Sequence, residues 1–201
     1  MSNVMSAAAA EASHPIRLRV DDDLKRNRLT VFFRLLLVIP HAIVVGLWAI
    51  LAVFAVIAAW FAALFTGRVP DGLHAFLAKF LRYATRVNAY LFLIADPFPP
   101  FGAGGSYPVD LDVDPPTEQG RLGVLFRIVL AIPALILTNI LSQLRQILAF
   151  IGWFYALFTR RMSRGIRDLA AFCLRYEMQT YGYAMVLTSR YPSLSSSVIA
   201  P

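Results

Sequence analysis

Cysteine is nearly absent. Cys173 stands alone, which excludes an intrachain disulfide and any thiolate metal cluster, and its apolar surroundings fit a buried, unreactive thiol. Charge is scarce too, at 15% of residues against roughly 25% in an average soluble domain. Histidines number three, and His14, His41 and His74 fall in separate parts of the chain, so no metal-ligand spacing arises. No phosphate-binding loop, zinc motif or Gly-x-Ser-x-Gly elbow is present. Acidic residues avoid the apolar blocks, which argues against a proton- or cation-coupled pump. What remains is 58% hydrophobic residues, gathered into long runs, with a formal charge of +7. Arg and Lys flank or interrupt those runs, so the basic balance points to an anionic membrane surface rather than to nucleic acid.

The chain contains one stretch twice. Phe33-Arg34-Leu35-Leu36-Leu37-Val38-Ile39-Pro40 returns as Phe126-Arg127-Ile128-Val129-Leu130-Ala131-Ile132-Pro133. Trp60–Arg68 returns as Trp153–Arg161, and Leu81-Arg82-Tyr83 as Leu174-Arg175-Tyr176. Every pair is offset by 93 residues, so Ile16–Pro99 aligns without a gap on Val109–Pro192, with about a third of positions identical. The expected organisation is a disordered tail over 1–15, a membrane repeat over 16–101, a linker over 102–108, a second repeat over 109–192 and a tail over 193–201. The first tail lacks the basic and apolar regions of a secretory signal.

Val31–Phe65 carries a single charge, Arg34, over 35 residues, and as one helix would be about 52 Å long against a hydrocarbon core of about 30 Å. Pro40 would kink it. In the second copy Asn139, Ser142, Gln143, Arg145 and Gln146 divide the equivalent run, a composition suited to a hairpin apex among headgroups. The expected unit is therefore a long apolar helical hairpin, or a kinked membrane helix, followed by a basic amphipathic helix. Lys79, Arg82 and Arg86, with Tyr83, recur at spacings of three and four and share one side of that second helix. Arg161, Arg164, Arg167 and Arg175, with Tyr176, form the denser patch of the second copy. Such helices suit the membrane interface, where their basic residues would meet anionic lipid headgroups. Ile16–Val20 alternates like a short strand and ends in Asp21-Asp22-Asp23, read as a solvated turn rather than a metal site.

The Phe-Arg-x-x-x-x-Ile-Pro start, the Leu-Phe-Thr-x-Arg end, the downstream Leu-Arg-Tyr and the Asp-Pro-Phe-Pro-Pro or Tyr-Pro stop together resemble a bacterial membrane-protein family known only as a domain of unknown function (DUF4389). The resembling residues are Phe33, Arg34, Ile39, Pro40, His41, Leu64–Arg68, Arg82, Tyr83 and Asp96–Phe101. In the second copy they are Phe126, Arg127, Ile132, Pro133, Leu157–Arg161, Arg175, Tyr176 and Arg190–Pro192. That copy departs from the pattern at Ala134, in place of His41, and at Arg160, in place of Gly67. The resemblance implies a membrane location and brings no activity to transfer; the expected location is the bacterial inner membrane.

The fold class expected is thus an all-α integral membrane protein of two tandem parallel repeats, with both ends and Gly102–Gly120 cytoplasmic. Gly46, Ala49, Ala52 or Ala55, Ala58 and Ala62 offer small residues for close helix contact. The expected role is a non-catalytic scaffold or accessory subunit, self-associating or held in a larger membrane complex, with no cofactor, metal or nucleic acid. An anion, small-solute or lipid transporter and a lipid-modifying enzyme are the alternatives.

Overall fold

The computed structural model describes residues 14–194. Each copy contributes one strand and three helices. In the first these are β1 (Ile16–Val20), α1 (Arg28–Phe32), α2 (Arg34–Thr66) and α3 (Asp71–Leu91). In the second they are β2 (Val109–Val113), α4 (Arg121–Leu125), α5 (Arg127–Thr159) and α6 (Arg164–Ala184). The expected tails lie mostly outside the described residues. His14 and Pro15, at the end of the first, are packed: the Ile16 amide donates to His14 Nδ1 at 3.0 Å and the Asp114 amide to the Pro15 carbonyl at 3.0 Å. Ser193 donates its amide to Gln179 Oε1 at 3.1 Å.

The hairpin expected inside the apolar run is not there. α2 and α5 are each one continuous helix of 33 residues, about 50 Å long at 1.5 Å per residue. Leu and Ala favour helix, and the run holds no paired turn residues that could reverse it. Pro40 and Pro133 sit in the second turn, and both helices continue through them. The polar midpoint of α5 finds partners without an apex: Ser142 Oγ donates to the Asn139 carbonyl at 2.8 Å, and Arg145 pairs with Glu177 on α6. The reversal occurs one element later, after the left-handed C-caps Gly67 and Arg160. α3 then returns antiparallel along α2, bringing His41 to Tyr83 and Trp48 to Phe76 and Phe80.

Three layers result. β1 and β2 pair antiparallel and rest on α6 and α3, which contact each other; α2 and α5 cover the far side of α3 and α6 and do not touch the strands or one another. The middle layer holds the core, with Leu77, Leu81, Ala170, Leu174 and Met178 buried against Leu18, Val109 and Leu111 from the strands, while Tyr83 is buried on the α2 side with Val38, Val87 and Tyr90. On the outer face of the strands Arg17 makes a two-pronged bond to Asp114 (2.6 and 2.9 Å), and Arg19 meets Asp112 at 2.9 Å. The opposite face of the molecule is apolar: Leu35, Leu47, Phe54, Phe65, Ile128, Phe150 and Phe158 all stand exposed along α2 and α5. Every strand charge is on one face, and both apolar helices are on the other.

The copies are related by an internal two-fold rotation, because their contacts are reciprocal. Trp60 Nε1 donates to the Val124 carbonyl at 2.8 Å, and Trp153 Nε1 to the Val31 carbonyl at 2.9 Å. The Gln119 amide donates to the Gly67 carbonyl at 2.8 Å, and the Arg26 amide to the Arg160 carbonyl at 3.0 Å. The start of each long helix therefore adjoins the end of the other. Self-complementary contacts of this kind belong to two-fold interfaces.

Candidate functional site

The repeated Phe-Arg motif builds a clamp. Phe33 and Phe126 sit at the junction between the short and the long helix, each serving as C-cap of one and N-cap of the other. That junction turns Arg34 and Arg127 inward, and both are buried. Arg34 donates to the carbonyls of Tyr90 (2.6 Å) and Ala95 (3.1 Å), with its guanidinium 4.4 Å over the Tyr90 ring. Arg127 donates to the carbonyls of Tyr183 and Thr188, with its guanidinium 4.5 Å over the Tyr183 ring. Those carbonyls lie where α3 and α6 end in a Schellman motif whose left-handed position holds Leu93 (φ 61°) or Val186 (φ 61°) instead of glycine. The clamp adds a charged donor to the Tyr90 and Tyr183 carbonyls, which also accept the Leu93 and Val186 amides, and sets a cation at the negative end of the helix dipole. The third partner differs. Arg34 meets Asp96 Oδ1 at 2.7 Å, whereas Arg127 meets Gln119 Oε1 at 2.7 Å, because Ser189 stands where the first copy has Asp96.

The basic side of α3 turns inward. Lys79 is exposed, but Arg82 and Arg86 both bond Asp110 of β2, and Arg86 also donates to the carbonyls of Gly104 and Gly105. Burial alone would raise the Asp110 carboxyl; the hydrogen bonds from Arg82 and Arg86 outweigh it and hold the group below the usual carboxylate range. Tyr83 is buried, with its hydroxyl 2.6 Å from His41 Nδ1. His41 in turn lies under Phe98 and Phe101, ring centroids 4.5 and 4.3 Å away.

In the second copy Arg161 and Arg164 are exposed, and Arg167 bonds Asp168 (2.8 Å) and the Asp22 carbonyl (3.1 Å). Arg175 and Tyr176 are buried, Arg175 with its guanidinium 5.2 Å from the Phe172 ring. Of the basic residues singled out from the sequence, Lys79, Arg161 and Arg164 therefore face outward, Arg82 and Arg86 tie their helix to the other copy through Asp110, and Arg175 is buried. Among the described residues no three His, Cys, Asp or Glu side chains converge as a metal site.

Spacing did not reveal the acidic partner Asp110, the clamp residues Asp96 and Gln119, or the pair Arg145–Glu177. Arg145 sits 4.1 Å over the Phe92 ring, so it links α5 to the end of α3 in the other copy. Burial and the nearby Glu177 carboxylate push the Tyr181 phenol up to about 12. One signal for Asp110 lies in the strands themselves: Arg17 and Arg19 are followed, 93 residues on, by Asp110 and Asp112. Two apolar grooves also form between the copies. One, about 550 Å³, is lined by Val53, Val56 and Ile57 of α2 with Ala184 and Met185. Its two-fold mate, about 490 Å³, uses the equivalent Gln146, Ala149 and Phe150 of α5 with Leu91 and Phe92.

No curated protein and no solved structure matches the chain. A family model, Domain of unknown function (DUF4389), matches twice, over residues 28–103 and 121–195, and these segments coincide with the helices and terminal clamps of the two copies. The chain is a member of the DUF4389 family carrying two tandem copies of its domain.

Proposed function

We propose that the protein is an integral scaffold or accessory subunit of the bacterial inner membrane, without catalysis of its own, seated in one leaflet. The observation that carries this reading is the exposure of the long helices. Only 17% and 22% of their most apolar stretches are buried against the rest of the chain, less than a core helix of a water-soluble domain would bury, which supports a membrane seat. The sidedness supports a flat seat rather than a crossing. Segment 102–120, with β2 at its middle, runs from the start of α2 to its far end. A crossing would carry Asp110, Asp112 and Asp114 through the hydrocarbon, at several kcal/mol for each charge. With α2 and α5 lying in the membrane plane, the internal two-fold axis stands along the normal, Arg17, Arg19 and Asp112 of the strands lie on the side away from the membrane, and both copies have one orientation.

Arg161 and Arg164, beside the end of α5, then lie near the headgroups and attract anionic lipid, whereas Lys79 borders Arg17 and Asp112 on the strand side. A two-fold platform in which, among the described residues, no metal-ligand cluster forms suits holding other chains, a second copy or a larger complex. Membrane washing with alkaline carbonate, followed by mass measurement in mild detergent, tests the reading. Retention in the membrane with a mass above the monomer's 22.4 kDa is expected. Release into buffer, or a monomer that turns over a lipid or moves a solute in liposomes, would contradict it.

A further inference from the structure

The two-fold symmetry of the backbone is broken in charge at the junctions between the copies as well as in the strands. Where the chain entering α1 meets the end of α5, Lys25 and Arg161 form an antiparallel bridge, and Arg28 donates to the Phe158 carbonyl at 2.7 Å. Lys25, Arg28, Arg160 and Arg161 are all exposed there, with Asp23 (3.2 Å from Lys25) as a carboxylate partner. The corresponding residues at the other junction are Glu118, Arg121, Gly67 and Arg68. One junction thus gathers four cations and its mate a nearly balanced set.

The cationic junction is also locally unfavourable. Like charges facing each other across an antiparallel bridge repel, and Lys25 opposite Arg161 is such a pair. Arg160 occupies a left-handed position, φ 58°, where the first copy has Gly67 at φ 78°. A side chain there is disfavoured relative to glycine. Both costs fall where the four exposed cations gather.

The apolar groove of about 490 Å³ lies beside it. Trp153 forms one wall and is joined to α1 through the Val31 carbonyl and a stacked contact with Phe32. Arg160 follows Trp153 by about 10 Å of helix. We propose that this junction and groove together bind one anionic phospholipid, with the phosphate held by Lys25, Arg28, Arg160 and Arg161 and an acyl chain along Leu35, Phe92, Phe150 and Trp153. The volume is in the range of lipid- and drug-sized sites, and the charge complementarity selects the anionic headgroup. The mate groove, with Glu118 and Gly67 at its junction, binds no phospholipid selectively. This assignment rests on the membrane seat proposed above.

Native mass spectrometry with phosphatidylglycerol and phosphatidylcholine of identical chains tests it. The wild-type chain retains one phosphatidylglycerol and releases phosphatidylcholine. Lys25→Gln with Arg160→Gly lowers that retention on the order of tenfold, as expected for removing two surface cations. The melting temperature meanwhile holds or rises, because glycine relieves the left-handed position. Arg68→Gln with Arg121→Gln removes the same charge at the mate junction and leaves retention unchanged. Equal retention of both lipids, or equal loss in both double variants, overturns the site. So does a dimer mass that vanishes with Lys25→Gln and Arg160→Gly, which would assign the surface to a second copy. Carbonate washing separates the two levels of the argument: a chain that stays in the membrane without lipid selectivity removes only this site, and a chain that washes off removes the seat as well.

Discussion

Leu18 faces Leu111 across the two-stranded sheet, and the two are the same residue of the two copies, 93 positions apart. The internal two-fold axis passes between them. Because each copy offers the other the same backbone surface, the indole and main-chain contacts across the axis occur in pairs. Charge distinguishes the two strands: Arg17 and Arg19 on one, Asp110 and Asp112 on the other.

Removing the reciprocal indole bonds tests that symmetry. Trp60→Phe and Trp153→Phe each lose one hydrogen bond to a backbone carbonyl, and each should cost about 1 kcal/mol in detergent unfolding. The sites are equivalent and far apart, so the double variant should cost the sum. A loss at one tryptophan alone would contradict the two-fold relationship.

Asp110 is the shared acceptor of Arg82 and Arg86. Asp110→Asn should destabilise by about 3 to 5 kcal/mol, since two guanidinium groups would lose their counter-charge in a buried setting. Its carboxyl is held below the usual range, so the stabilisation is complete above the unfolded value near pH 4 and is lost as pH falls through the lower folded value. The wild-type chain should weaken on acidification in that window, and Asp110→Asn should lack that component. Parallel acid profiles for the two proteins would contradict the account.

The pair Arg145–Glu177 stands where the first copy has Ala52 and Ala84. Arg145→Ala alone leaves Glu177 charged and enclosed and should cost about 3 to 5 kcal/mol. Arg145→Ala with Glu177→Ala reproduces the pairing of the first copy and should recover most of that loss. A double variant as unstable as the single one would mean that Arg145 acts chiefly through Phe92.

The clamps should respond alike. Arg34→Lys and Arg127→Lys replace a planar fork by a point charge that cannot reach both carbonyls, and each should lose about 2 kcal/mol. Hydrogen exchange should localise the loosening to the ends of α3 and α6. Exchange that changes only in α2 or α5 would contradict the clamp.

Much of this was legible in the chain, and the limits have physical causes. The gapless offset gave the two copies and marked Arg34 and Arg127, because a repeated motif needs no tertiary knowledge. Their partners were hidden: a clamp on backbone carbonyls of Tyr90 and Ala95 leaves no side-chain signature. The length of Val31–Phe65 suggested a hairpin because a crossing was assumed, and a helix lying in a plane has no such length limit. Spacing correctly placed Lys79, Arg82 and Arg86 on one side of α3. It could not show that Asp110, on a strand of the other copy, closes over two of them. Opposite charges at equivalent strand positions carried that information, and only the register turned it into contacts.

The central claim is that α2 and α5 lie in one leaflet with every connection on the same side. Cysteine accessibility in intact and permeabilised cells, with Cys173→Ser as background, tests it most directly. Arg68→Cys reports the turn between α2 and α3, and Ser106→Cys reports the linker that follows α3. A flat seat predicts that both are protected in intact cells and both react after permeabilisation. Arg68→Cys reacting from outside while Ser106→Cys stays protected would place the ends of α2 on opposite faces of the membrane and contradict the account.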